Sequence, residues 1–323
     1  MTKNNDLLDI VKVVMAVSVV AIHTNVDGLK IFGRLAVPFF LITSSYLFFL
    51  KYNLLNHQFR KERLINYLKR LIFLFCSWEI IYIPVVLKEA IDFFKINHVS
   101  LFSIMKYIFF YAIYENRLTG WGASWYLLAF FWALPLFCYM IQHFDIRIVF
   151  IVCSLIEVYY VVTNGYKTVF HIYDAISPLF FPRTLIYVCI GYIFTKVKVE
   201  LGTPYITICL IVLFFLENIF IFFVLNGSIN SEEVILTSIT AASIFSFCLI
   251  EKISFPHSRF FRMYSTFLYA GHGLIIEIFN HIVKLSSFEL FGIVIVTSIL
   301  GFIVWLNLTK VVGNRVKFLK YMT

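Results

Sequence analysis

Residues 6–25 read DLLDIVKVVMAVSVVAIHTN, an apolar run that carries a lysine at position 12 and a histidine at position 23. A charged side chain at the centre of a membrane helix costs ~2.5–3.5 kcal/mol on insertion scales, so two ionisable groups in one run need a reason. Ten residues separate Lys12 from His23. On an α-helix that spacing returns to within ~20° of the starting direction and covers ~16 Å. The two side chains therefore share one face, a cation towards one membrane surface and an imidazole towards the other. Such a polar stripe predicts a route through the bilayer. Asp9 lies one turn before Lys12, within reach of an ion pair. The competing readings are a snorkelling Lys12 paired with Asp9 and a His23 that is merely polar near a span end.

The chain around this run is 61% hydrophobic and 19% aromatic, with 38 Phe among 323 residues and a mean hydropathy of +0.89. That composition excludes a soluble domain of this size and predicts an all-α, polytopic transmembrane helical bundle. Ten spans are expected, at about 7–26, 33–50, 70–88, 124–141, 147–163, 179–195, 204–224, 234–250, 264–283 and 289–309. The net charge of +9 does not point to nucleic acid, because the basic residues sit in loops between apolar runs, as the positive-inside rule requires. Lys51, Arg60, Lys61, Arg63, Lys69 and Arg70 place the loop 51–70, and with it both termini, in the cytoplasm. The stretch from Val99 to Tyr114 is short for a span and carries Lys106, so it is expected to lie along the outer surface. The first run lacks a small-residue cleavage site and reads as a retained helix. The six cysteines fall in apolar runs, where they act as small hydrophobes. One membrane domain over 1–323 is expected, with no soluble extracytoplasmic domain.

The second span opens GRLAVPFFLITSSYLFF from Gly33, with Arg34 at its outer end a short loop after His23. Arginine is a permanent forked donor suited to carboxylate, phosphate or sugar oxygens, although an interfacial anchor is its plain alternative. Glu79, Glu157, Glu217 and Glu277 fall within apolar runs and are expected to pair with cations, Arg34, Arg183 and Lys12 being the candidates. There is no HExxH, CxxC or GxSxG motif and no glycine-rich phosphate loop, so no metal site is expected.

An acidic residue, then lysine, ten residues, histidine, and Arg–x–x–Val–Pro–Phe–Phe in the next span resembles the acyltransferase-3 family, the membrane O-acyltransferases of bacterial surface glycans. Asp9, Lys12, His23, Arg34, Val37, Pro38, Phe39 and Phe40 carry the likeness. Ser124–Trp125–Tyr126–Leu127, Arg183 before LIYVCIGYIF, and Leu268–Tyr269–Ala270–Gly271–His272 resemble later family segments. Ser45 stands where the family usually has glycine. Gly271 and Gly273 replace an aliphatic residue and a proline around His272, which removes support for a role of that histidine.

The resemblance implies that an acyl group, most simply acetyl, moves from cytoplasmic acyl-CoA to a sugar hydroxyl of a cell-surface or lipid-linked polysaccharide. The setting would be the bacterial plasma or inner membrane. Acyl-CoA is a co-substrate in this reading, and no cofactor is held permanently. His23 would serve as general base or transient acyl carrier. Arg34 would stabilise the developing oxyanion. Lys12 and Asp9 would receive the CoA, and Arg183, Trp125 and Tyr126 the acceptor. Two alternatives stay open. The chain also resembles the membrane domain of vancomycin-resistance serine racemases, where the same groups would serve amino-acid transport. It would otherwise be a silent subunit of a glycan-export complex.

Overall fold

In hydrocarbon every backbone N–H and C=O must find its partner inside the segment, and a helix does so locally. The computed structural model describes residues 5–97, 100, 102–103, 105–106, 124–172, 177, 180–197, 202–228, 231–251, 253–255 and 257–312. Among them every regular element is helical. The helices are α1 (Asp6–His23), α2 (Leu29–Gly33), α3 (Ala36–Tyr52), α4 (His57–Asn97), α5 (Trp125–His143) and α6 (Ile146–Thr163). They continue with α7 (Lys167–Phe170), α8 (Leu185–Ile193), α9 (Pro204–Phe223), α10 (Leu236–Ile250), α11 (Ser258–Ile282) and α12 (Ser287–Val312). A 3-10 turn, Phe181–Thr184, leads into α8.

Several starts have explicit caps. The Asn5 side chain accepts from Leu8 N at 3.2 Å and also donates to the Cys248 carbonyl, tying the start of α1 to the end of α10. Asp145 accepts from Arg147 N at 2.8 Å before α6, and Thr203 precedes Pro204 at the first position of α9.

The helix directions sort the polar residues into two ends. α1 and α11 run parallel in contact, Asp9 meeting Arg262 and His23 meeting His272 further along. α3 returns antiparallel to α1, so Arg34 comes back to the His23 end and Tyr52 to the Lys12 end. Gly33 lets α2 press against α1, since a Cβ there would stand 2.7 Å from the Ile22 side chain. α8 runs parallel to α3 and touches it through Gly191, whose added Cβ would lie 2.6 Å from the Ile42 carbonyl oxygen. Ser45 donates across the same contact to the Val188 carbonyl at 2.9 Å. The residue that departs from the family pattern thus makes a helix-to-helix hydrogen bond, and the close approach is borne by a glycine on the partner helix.

Phe39, Phe48, Phe49, Phe137 and Phe245 are fully buried and interlock edge-to-face, Phe49 with Phe137 at 5.6 Å and Phe39 with Phe245 at 6.4 Å. The outer helices are apolar on the opposite side as well. Ile208, Val212 and Leu216 on α9, and Val296, Leu300, Val304 and Leu308 on α12, recur every fourth residue and are exposed. Such stripes are a liability in water and the ordinary surface of a helix in lipid. Leu29–Tyr52, α5, α6, α9 and Ser287–Val311 are long and apolar enough to cross a membrane, and Phe181–Ile193 and Leu236–Ile250 are shorter apolar helices.

The structure revises the expected boundaries in three places. Most of the expected loop 51–70 is helix, because α4 already begins at His57. The basic residues there lie on helical turns whose long aliphatic stems are compatible with helix. α11 begins at Ser258 rather than near 264, and the regular α-helix of the 179–195 segment is confined to Leu185–Ile193 after the Pro182-bearing turn. Most of the stretch 99–114, expected at the outer surface, lies outside the described residues.

Candidate functional site

His23 ends α1 with its side chain exposed, and His272 stands beside it on α11, 1% exposed. The ring centroids are 4.9 Å apart with the planes at 41°. His272 Nδ1 lies 2.7 Å from the Tyr269 carbonyl and 3.2 Å from that of Leu268. Carbonyls only accept, so Nδ1 carries a proton and donates. In the neutral ring Nε2 is then a bare lone pair. That nitrogen is buried and has no hydrogen-bond partner among the described residues. An orphaned buried acceptor costs ~1–3 kcal/mol, which marks the position as more than packing.

The glycines on either side of His272 explain why it sits there. A Cβ at Gly271 would come within 3.2 Å of Trp78, and one at Gly273 within 2.9 Å of the Tyr82 hydroxyl. Tyr82 donates to the Ala270 carbonyl at 2.9 Å and accepts from Leu274 N at 2.9 Å. Its hydroxyl thus bridges the two groups that one turn of helix would otherwise join. The Gly271 and Gly273 departures make room for α4 to clamp the histidine turn, a contact that the local sequence does not reveal.

A second constellation lies at the same end. Arg34 caps α2, and Arg183, 4% exposed, sits in the turn before α8. Both meet the connection between α9 and α10. Arg183 Nη1 binds Glu232 at 2.6 Å and its Nε binds Glu233 at 2.5 Å, while Arg34 Nη1 reaches Glu232 at 3.6 Å. The Asn164 side-chain oxygen accepts the backbone N–H of Glu232 at 2.8 Å and of Glu233 at 3.3 Å, fixing the loop. Tyr187 donates to Glu233 at 2.7 Å, and the Arg183 guanidinium lies 5.1 Å over the Trp125 ring. Burial alone would raise the Glu232 carboxyl, but Arg183 and Arg34 outweigh it and hold the group below the ordinary carboxylate range. Glu157 is buried beside Arg183, Glu233 and Ser238, and neither of its carboxyl oxygens meets a hydrogen-bond partner among the described residues. Arg34 and Glu232 are also the charged neighbours of His23.

A family model for an acyltransferase domain, Acyl_transf_3, matches residues 5–309. The chain belongs to the acyltransferase-3 family. No curated protein and no solved structure matches it. Membership together with the apolar helices makes it a multi-pass membrane protein, with membrane acyl transfer as its class of chemistry.

The family's Lys12 and Asp9 positions lie towards the other end. Lys12 Nζ is 3.3 Å from Asp9, and Arg262 of α11 binds the same carboxylate at 2.9 Å. Asp9 is buried whereas Arg262 is half-exposed. Tyr126 packs edge-on against Tyr269 at 4.7 Å, next to the His272 turn.

The expected partners of the intramembrane acids need correction. Glu217 accepts from Tyr166 at 2.6 Å and from the backbone N–H groups of Ile235 and Leu236, each at 2.9 Å, so it caps the start of α10. Glu277 is partly exposed and stands 3.6 Å from His281. The arginines take Glu232 and Glu233 from a loop instead, because a connection can fold back without placing an acid in lipid. Two adjacent acids directly before the run 234–250 were the available signal.

Proposed function

We propose that the chain is an O-acyltransferase of the bacterial plasma or inner membrane that moves an acetyl group from cytoplasmic acetyl-CoA to a hydroxyl of a cell-surface or lipid-linked polysaccharide sugar. The observation that carries the reading is the His23–His272 pair, an exposed imidazole against a buried one with an unsatisfied lone pair. A hydrogen bond from His23 to Nε2 of His272 would fix the His23 tautomer and leave its second nitrogen as a base. The sugar oxygen then attacks the thioester carbonyl carbon. A C–O bond forms, the C–S bond breaks, and the hydroxyl proton passes through His23 to the departing thiolate, so that the products are the ester and free CoA. Arg34, beside His23, supplies positive charge for the oxyanion.

Arg183 is anchored by two carboxylates and backed by Trp125, so its part is to shape the acceptor site with Tyr126. Glu157 offers acceptor oxygens that suit a hydroxyl-rich ligand. At the other end Lys12 shares the Asp9 carboxylate with Arg262, which Asp6 also neighbours, and Lys12 is the group that receives the anionic donor in this reading. In this account α1, α3–α6 and α8–α12 are ten spans. The gathering of Lys51, Arg60, Lys61, Arg63, Lys69 and Arg70 at the Lys12 end supports cytoplasmic termini.

Proteoliposomes of known orientation, given acetyl-labelled CoA on the Lys12 side and envelope glycans on the other, test the reading. Label in the glycan with equal release of free CoA is expected. Uptake of a small zwitterion with no CoA consumed would replace it with transport.

A further inference from the structure

A cavity of about 300 Å³ opens at the Lys12 end of the bundle, between the ends of α3, α5 and α8 and the start of α4. It does not involve α1, Asp9 or Arg262. Its polar lining is Tyr52, Asn53, His57, Arg60, Gln142 and Lys196, with Tyr192 beneath, and no carboxylate is among the lining residues.

The cations there are presented by aromatic faces. The Arg60 guanidinium lies 5.4 Å from the Tyr52 ring centroid, and Lys196 Nζ lies 5.5 Å from that of Tyr192. Among the described residues Arg60 spends only its Nε, which donates to the Leu55 carbonyl at 3.0 Å. Neither cation forms an ion pair among the described residues. The neutral groups are held in place: Gln142 donates to the Tyr52 hydroxyl at 2.9 Å and Asn53 to Thr195 at 2.9 Å. The converging helix C-termini attract cations, which is the plain reason for basic residues here. That attraction does not account for a concave wall with fixed amide and hydroxyl groups and no acid.

We propose that this cavity binds a phosphorylated group, held by Arg60 and Lys196 with hydrogen bonds from the surrounding side chains. A forked guanidinium beside an ammonium is the donor set that phosphate oxygens select. The phosphate comes either from the diphosphate or 3′-phosphate of CoA or from an anionic lipid headgroup. The first source rests on the acyltransferase reading and the second does not.

Binding is measured at fixed ionic strength on the full chain in nanodiscs of neutral phosphatidylcholine, with inorganic pyrophosphate, CoA and phosphatidylglycerol as probes. The wild type is compared with Arg60→Gln, Lys196→Gln and the charge-preserving Arg60→Lys. Thermal unfolding shows that each variant is folded. Pyrophosphate affinity is expected to fall at least about tenfold in either glutamine variant and to recover partly in Arg60→Lys. Loss of CoA binding in the same variants identifies the donor as the source. Loss of phosphatidylglycerol binding with no CoA binding in wild type identifies the lipid, and the site then stands although the acyltransferase reading does not. Equal binding of all three probes by the wild type and the glutamine variants, or no binding of any, overturns the proposal.

Discussion

The two ends of the bundle solve the problem of charge in opposite ways. At the His23 end Arg34 and Arg183 are met by Glu232 and Glu233, whose backbone is fixed by Asn164, and two imidazole rings stand against each other. At the other end Asp9 binds both Lys12 and Arg262, with Asp6 also near Arg262, and a second basic cavity has no acid in its wall. The first arrangement is closed and braced, as a site that places reacting atoms must be. The second leaves positive charge unspent, as a site that receives an anion must. Mutations should therefore harm stability at one end and affinity at the other.

The largest contrast comes from removing one arginine at each end. Arg183→Ala leaves Glu233 buried without its cation, and unfolding stability in detergent should fall by ~3–5 kcal/mol. Arg262→Ala removes a half-exposed partner and should cost no more than ~1 kcal/mol. Equal losses would break the comparison. Tyr82→Phe removes the hydroxyl bridging Ala270 and Leu274, and should cost ~1–2 kcal/mol with a fall in turnover, because the His272 turn loses its clamp. Unchanged turnover in a protein of reduced stability would make Tyr82 a packing residue only.

Lys12→Met should raise the KM for acyl-CoA several-fold while kcat changes little, since it removes attraction and leaves the reacting groups intact. A drop in kcat alone would move Lys12 into the chemistry. The smallest expected effect is one of pH. Glu232 is held below its ordinary range, so its stabilisation is complete above the unfolded value near ~4.3 and is lost as pH falls through the folded value. Thermal scans on acidification should show this loss in wild type and not in Glu232→Gln. Parallel pH curves for the two proteins would mean that Glu232 is not the group responsible.

The fold class was legible because membrane helices announce themselves by composition, and His23, Arg34 and Arg183 were legible because cations in apolar runs are rare. Glu232 and Glu233 were not, since a loop acid looks solvated until the loop is seen folded onto Asn164. His272 was discounted from its neighbours, when those glycines are what admits Trp78 and Tyr82. The loop 51–70 was read from charge alone, and charge does not distinguish a loop from a helix that extends past the membrane surface. For the acids and for His272 the missing information was a long-range contact.

The central claim is that His23 carries the proton in acyl transfer. The direct measurement is the rate of acetyl transfer from CoA to glycan by His23→Gln in oriented proteoliposomes, with unfolding temperature recorded on the same preparation. The account predicts a loss of ~10²–10⁴-fold at an unchanged unfolding temperature, the range associated with removing a general base. Transfer at the wild-type rate by the folded variant would contradict it.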